Sequence, residues 1–237
     1  MSFEACAKIV ENGDPDRFLA AMAAPVDSRR VLFPLYAFNV EVARAPWVTE
    51  EPMIAEMRLQ WWRDALEEIA GGGVVRRHEV TTPLAAVLDA EAAQALDGLV
   101  SARRWDVYKD AFENAAHFNE YLTATSGVLM NQAARLLGGG DVLRFGYATG
   151  LARFLQAVPA LEAAGRVPLV DGRAQAIGAL AQSALTDARR PEKNAATLEG
   201  WQTEAVLEQI AKHPERVAQG AVGLSPFRSK WRLLRWS

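Results

Sequence analysis

The chain has 237 residues, half of them hydrophobic, and a formal net charge of -3 at pH 7. This length suits one helical domain with a sizeable core, and a pI near 5.7 argues against nucleic-acid binding as the main role. The single cysteine, Cys6, excludes an internal disulfide and suits a reducing compartment. No apolar run of about 18 residues indicates a transmembrane helix, and the acidic start lacks the order of a signal peptide. We therefore expect a cytoplasmic protein.

Two short helices are predicted first. Residues 2–12 have the pattern of an amphipathic helix. Asp14 is suited to cap the next helix, with Pro15 at its first position, and Pro25 ends it.

The next two helices, between Pro34 and Ile69, carry most of the information. Pro34 is predicted to begin the first of them and Pro46 to end it. Thr49 is predicted to cap the second, which stops at the glycine run 71–73.

The faces of these two helices differ. One stripe of the first helix contains no acid, and it consists of Tyr36, Val40, Ala43 and Trp47. The second helix has a broad apolar arc made of Ile54, Met57, Trp61, Trp62, Ala65, Leu66 and Ile69. Arg58 interrupts this arc, so it either reaches the edge of the helix bundle or forms a buried pair with Glu41 or Asn39.

A cation site is conceivable between Trp105 and His117. In a single helix one face would carry Asp106, Asp110, Glu113 and His117. Asn114, however, is suited to cap a helix that runs through Tyr121, and a break there would separate the four groups.

Further helices are predicted over the rest of the chain. One runs from about residue 122 to 136, with Asn131 near its middle. Asp141 caps the next, which carries Arg153, Phe154, Ala157 and Leu161. Residues 187–194 form a charged break, the best candidate linker.

The segment 227–237 mixes cations with aromatic residues. The residues proposed for membrane or partner contact are Arg228, Lys230, Trp231, Arg232, Arg235 and Trp236. The alternative is a terminal helix docked on the core, with Trp231 and Leu234 facing inward.

Four motifs resemble the squalene/phytoene synthase family. They are LYAF at 35–38, RLQWWRDALEE at 58–68, EYLTATSGVLMNQAARLLG at 120–138, and GLARFLQAVPALEAAGRVPL at 150–169. The resemblance implies an all-α, isoprenoid-synthase-like helical bundle around a central cavity, formed by residues 1–237 as one domain.

The departures from this family concern its metal sites. The synthases bind magnesium and two prenyl diphosphates through two aspartate-rich motifs. The register of LYAF and GRV puts the expected acids at Ala43, Trp47, Ala157 and Leu161, none of which can ligate magnesium. We therefore expect no catalytic residues, no metal and no cofactor. The resemblance gives as candidate cavity-lining residues Tyr36, Val40, Ala43, Trp47, Arg58, Asn131, Arg153, Phe154 and Ala157.

The segment AFNVEVA, followed by the RLQWWR helix, resembles a branch of the family that has lost the aspartates and assists assembly of respiratory complex I. This implies a non-catalytic assembly or lipid-handling factor whose partners are complex I subunits and a lipid, quinone or prenyl ligand. It would also make peripheral contact with the inner face of the membrane. The alternative is an active Mg²⁺-dependent prenyl transferase that condenses prenyl diphosphates with other acids, such as Glu41, Asp106 or Glu162.

Overall fold

The fold, obtained as a computed structural model, describes residues 3–188 and 194–236. All regular elements in these two ranges are helical, which confirms the all-α class. The α-helices are α1 (Phe3–Gly13), α2 (Pro15–Ala23), α3 (Arg29–Arg44), α4 (Pro52–Ala70), α5 (Thr81–Ala85), α6 (Ala90–Ala102), α7 (Trp105–Tyr108), α8 (Ala115–Leu122), α9 (Val128–Leu136), α10 (Leu143–Ala163), α11 (Ala174–Ala184), α12 (Thr203–Lys212), α13 (Glu215–Ala218) and α14 (Pro226–Trp236). Short 3₁₀ helices occupy Val26–Ser28, Ala45–Trp47 and Ala195–Gly200, and a π-helical turn occupies Thr123–Gly127.

Two predicted helix caps are confirmed. The Asp14 side chain accepts a hydrogen bond of 3.0 Å from the backbone N–H of Arg17, and Pro15 is the first residue of α2. The Asn114 side chain likewise accepts from the backbone N–H of His117 at 3.0 Å and begins α8. Each cap satisfies an N–H that has no partner within its helix.

Two other predicted helix starts are wrong. The helix expected to begin at Pro34 begins at Arg29, because the 3₁₀ turn Val26–Ser28 leads directly into it. Pro34 lies inside α3 beyond its first turn, so the helix lacks the backbone hydrogen bond to the carbonyl of Arg30 that another residue there would donate. Thr49 does not cap α4, which begins at Pro52; its hydroxyl accepts from the backbone N–H of Glu51 at 3.1 Å within the preceding turn.

The core lies around α3, whose residues from Leu32 to Val40 are all buried. One hydrophobic cluster joins α3 to α1, α2, α4, α6 and α9, and a second joins α8, α10, α11 and α12. The predicted inward face of α4 is partly wrong. Of the predicted apolar arc, Ile54 and Met57 are exposed. The buried side of the helix adds Ala55 and Leu59 to four residues of the arc, which are Trp62, Ala65, Leu66 and Ile69.

The helix α10 passes very close to the π-helical turn. A Cβ added to Gly150 would lie 2.5 Å from the Cβ of Ser126, and one added to Gly146 would lie 2.9 Å from the Cα of Gly127. Only glycine permits such an approach. The predicted helix over residues 122–136 is therefore present, but it contains a π-helical turn where α10 crosses it.

The end of the described chain docks on the core through residues other than those predicted. Leu233 and Trp236 are buried, whereas Trp231 and Leu234 are exposed, so the prediction that the latter two face inward is wrong. Most of the predicted linker, residues 189–193, lies outside the described residues. In the part of the chain that the structure describes, no helix is long and apolar enough to cross a membrane.

Candidate functional site

A cluster of four charged side chains lies inside the bundle. It comprises Asp14, Arg17, Arg153 and Glu199, and we call it the buried ion cluster. Arg17 donates through Nε to Glu199 and through Nη1 to Asp14 at 2.8 Å. Arg153 on α10 places its Nη1 atom 3.5 Å from a carboxylate oxygen of each acid. Two positive and two negative charges therefore balance where water is scarce.

The pKa values reflect this balance. Burial disfavours the ionised form of Asp14, but the guanidinium groups of Arg17 and Arg153 outweigh burial and lower the pKa of its carboxyl group. Burial likewise opposes the charge of Arg17, and the carboxylates of Glu199 and Asp14 raise its pKa above the usual value. The charges of the cluster therefore favour the ionised forms of Asp14 and Arg17.

Tyr36, from the predicted apolar stripe of α3, lies against this cluster. Its ring centroid is 5.5 Å from the Cζ atom of Arg17. Burial, followed by the charge of Glu199, raises the pKa of Tyr36 well above its ordinary value. Three buried oxygens in this part of the bundle have no hydrogen-bond partner among the described residues: Tyr36 Oη, Asn39 Oδ1 and Glu199 Oε1. Such atoms usually bind water or a ligand.

A second polar group centres on Arg166, the arginine of the GRV sequence after α10. Its guanidinium Cζ lies 4.7 Å from the ring centroid of Trp47 and 5.2 Å from that of Trp105. It also donates to the backbone oxygen of Asp106. Trp47, at a position where the resemblance expects an acid, therefore makes a cation–π contact.

Asp106 is held by other residues of the same group. Its carboxylate accepts from Tyr121 Oη at 3.0 Å and from Arg103 Nη1 at 3.2 Å. Burial is the main cause of a raised pKa for Tyr121. Helix α7 ends before Lys109, which adopts a left-handed conformation with φ of 57°. The single helix required for the predicted cation site therefore does not form across Asp106, Asp110, Glu113 and His117. Across residues 3–188 and 194–236, no group of three or more His, Cys, Asp or Glu side chains is arranged to hold a metal ion.

The remaining candidate lining residues are distributed between the interior and the surface. Val40 is buried, whereas Ala43 and Ala157 are partly buried, as is Leu161 at the remaining position where an acid is expected. Phe154 packs against Phe118 with ring centroids 5.2 Å apart. The lining of a cavity by this set stays a prediction.

Two polar candidates have structural surroundings of their own. The side-chain oxygen of Asn131 accepts a hydrogen bond of 2.9 Å from the backbone N–H of Val142, just before α10. Arg58 is exposed and lies in a surface groove of about 290 Å³ with Glu41, Trp61 and His78 among its neighbours. Of its two interpretations, the one that takes Arg58 to the edge of the helix bundle agrees with this position.

Sequence reasoning missed most of the buried ion cluster. The sequence predicts Asp14 only as a helix cap and gives no prediction for Arg17 or Glu199. The one available signal was Arg17, a charged residue on the same face of α2 as Ala20 and Ala21, which are buried. Its acidic partner Glu199 lies 182 residues away, and no local pattern connects the two.

Comparison with known proteins identifies the family. The chain matches the squalene/phytoene synthase family model over residues 10–234. It belongs to the squalene/phytoene synthase family. Among solved structures it resembles a dehydrosqualene synthase in complex with ligand, with a TM-score of 0.77 and 14% identity over 99% of this chain and 94% of the other. It also resembles squalene synthase HpnC from Alicyclobacillus acidocaldarius, with a TM-score of 0.61 and 17% identity over 98% and 92% of the two chains. These likenesses confirm the isoprenoid-synthase-like helical fold.

The chain also matches curated proteins that are named as assembly factors. The Drosophila melanogaster protein "NADH dehydrogenase (ubiquinone) complex I, assembly factor 6 homolog" is 28% identical over 166 residues, which cover 65% of this chain and 50% of the relative. The human "NADH dehydrogenase (ubiquinone) complex I, assembly factor 6" is 25% identical over 172 residues, covering 65% and 48%. The alignments thus span about half the length of these relatives.

Proposed function

We propose that this member of the squalene/phytoene synthase family is non-catalytic and acts as an assembly or lipid-handling factor for respiratory complex I. The observation that carries the proposal is the replacement of the expected acids by Ala43, Trp47, Ala157 and Leu161. Magnesium in the synthases needs hard oxygen ligands that bridge to substrate phosphates, and these hydrocarbon side chains supply none. The names of the curated relatives support the assembly role.

The acids that could serve an alternative active site support the same conclusion. Asp106 already accepts hydrogen bonds from Tyr121 and Arg103. Glu41 pairs with Arg44 at 3.5 Å, and Glu162 is exposed at the end of α10. We therefore favour the non-catalytic role over an Mg²⁺-dependent prenyl transferase.

The proposal includes a lipid, quinone or prenyl ligand in the region that corresponds to the substrate site of the synthases. Its support is chemical: Tyr36 Oη and Asn39 Oδ1 are buried polar atoms whose hydrogen bonds are not supplied by the described residues. The polar head of such a ligand would satisfy these atoms. The proposal also places the protein in the cytoplasm, in peripheral contact with the inner face of the membrane.

The assembly role is tested by affinity capture of the tagged full chain from cells that make complex I, after mild detergent extraction. We expect complex I subunits or assembly intermediates in the captured fraction, and less assembled complex I on native gels of a deletion strain. An equally expressed tagged synthase that retains its aspartates is the control for non-specific capture. Normal complex I in the deletion strain, with no subunits captured, would refute the proposal.

A further inference from the structure

The helix α14 has one face fixed to the body of the protein. Leu233 and Trp236 are buried, and the Trp236 ring stacks on Phe145 with centroids 6.1 Å apart. On the same side, Ser229 accepts a hydrogen bond of 3.3 Å from the indole N–H of Trp201. These contacts determine how the helix is rotated about its axis.

The opposite face of α14 is apolar and exposed. Phe227, Trp231 and Leu234 retain 76%, 54% and 72% of their accessible surface. Their spacing of i, i+4 and i+7 places them in one stripe along the helix. A contiguous exposed apolar surface of this kind usually marks a contact with a partner or a membrane.

Cations flank this stripe on both sides. At about 100° per residue, Arg228 and Arg235 lie to one side of it and Lys230 to the other, and all three are exposed. The fourth cation, Arg232, turns toward the body and lies 3.4 Å from Glu204. The sequence of α14 contains no Asp or Glu, although the whole chain has a net charge of -3. The positive charge is therefore concentrated around the exposed apolar stripe.

We propose that the outer face of α14 binds the surface of an anionic lipid bilayer. Tryptophan and phenylalanine favour the headgroup boundary, and the long side chains of Arg228, Lys230 and Arg235 can reach lipid phosphates on either side. A bilayer offers both an apolar layer and a sheet of negative charge, which is the complement of this face. Because the body already holds the 11-residue helix in place, binding does not have to pay for folding it.

This inference rests on the membrane contact in the proposed function and assigns it to one face of α14, but it does not depend on the assembly role. It is tested with the purified full chain and no complex I, by flotation with vesicles of mixed phosphatidylglycerol and phosphatidylcholine or of phosphatidylcholine alone. We expect binding to the mixed vesicles that weakens with added salt. The triple variant R228Q/K230Q/R235Q should bind on the order of 100-fold more weakly, because each cation near an anionic surface contributes about fivefold.

A second variant and a control separate this face from other exposed apolar surface. F227S/W231S/L234S should also lose binding, whereas M53S/M57S, which removes exposed apolar side chains from α4, should bind like the parent protein. All these side chains are exposed, so circular dichroism should show folded variants. Equal binding by all variants, or equal loss with M53S/M57S, would overturn the proposal. So would a change of oligomeric state in F227S/W231S/L234S without vesicle binding by the parent, since the face would then join two copies.

Discussion

The charged residues of the interior illustrate how single side chains here depend on one another. Glu199 is the centre of the buried ion cluster, because it contacts both Arg17 and Arg153. Its own side chain is fully buried. A carboxylate in this position shares with Asp14 the compensation of two guanidinium groups in a medium of low polarity.

We predict that Glu199→Gln lowers the free energy of unfolding by about 3–5 kcal/mol, because it leaves the buried Arg17 and the partly buried Arg153 with Asp14 alone. Urea unfolding followed by circular dichroism measures the loss. The double variant R17M/E199Q should lose less than E199Q, since it removes one of the stranded cations. The matched control is Glu204→Gln, which breaks the more exposed pair with Arg232 and should cost no more than about 1 kcal/mol. Equal effects of E199Q and E204Q would show that burial of the cluster does not govern stability.

At the scale of elements, the crossing of α10 over the π-helical turn is the most restrictive contact. Gly150 faces Ser126 there, and Arg153 follows three residues later, where it joins the buried ion cluster. The π-helical turn also uses Thr125, whose hydroxyl donates to the backbone oxygen of Tyr121 at 2.7 Å. A glycine at the crossing thus helps to place Arg153 against Asp14 and Glu199.

We predict that Gly150→Ala destabilises the protein by about 1–3 kcal/mol through overpacking, despite the better helix propensity of alanine. Gly98→Ala is the control, because Gly98 lies within α6 and an added Cβ there would meet nothing within 4 Å. That variant should be more stable by about 0.5–1 kcal/mol. Chemical unfolding of both variants checks the difference, and a stabilised G150A would mean that the crossing is looser than the structure indicates.

How well the elements could be predicted depended on how local their signals are. The caps Asp14 and Asn114 act on neighbouring backbone groups, so their positions could be derived from the sequence. The helix start predicted at Pro34 is wrong because the segment before Pro34 is also helical, and no single residue in that segment indicates this. The rotation of α4 and the partners of Arg17 depend on distant parts of the chain, and the hydrophobic pattern of one helix contains no information about them.

At the scale of the whole molecule, the chain has the fold of the synthases but lacks acidic side chains where the family resemblance expects metal ligands. The fold covers nearly all of a dehydrosqualene synthase, yet Trp47 lies against Arg166 where the family resemblance expects a metal ligand. A fold can be retained while such side chains change, since a reaction depends on a few side chains and a fold does not.

We predict no Mg²⁺-dependent release of diphosphate when the purified protein is incubated with farnesyl or geranylgeranyl diphosphate. A squalene synthase assayed in parallel is the positive control, and product extraction with measurement of released diphosphate is the readout. Turnover that disappears in E41Q, D106N or E162Q would contradict the prediction and establish the transferase alternative.

The pairing of Arg17 with Glu199 has a consequence for synthesis of the chain. The two residues are separated by 182 positions, and Gln202 hydrogen-bonds to Asp16 across 186. Helix α2 therefore cannot bury its arginine until the segment Ala195–Gly200 has left the ribosome. Such late, long-range closure slows folding and leaves the early helices incomplete while translation continues. The newborn protein should thus depend on chaperones more than its many short helices would suggest.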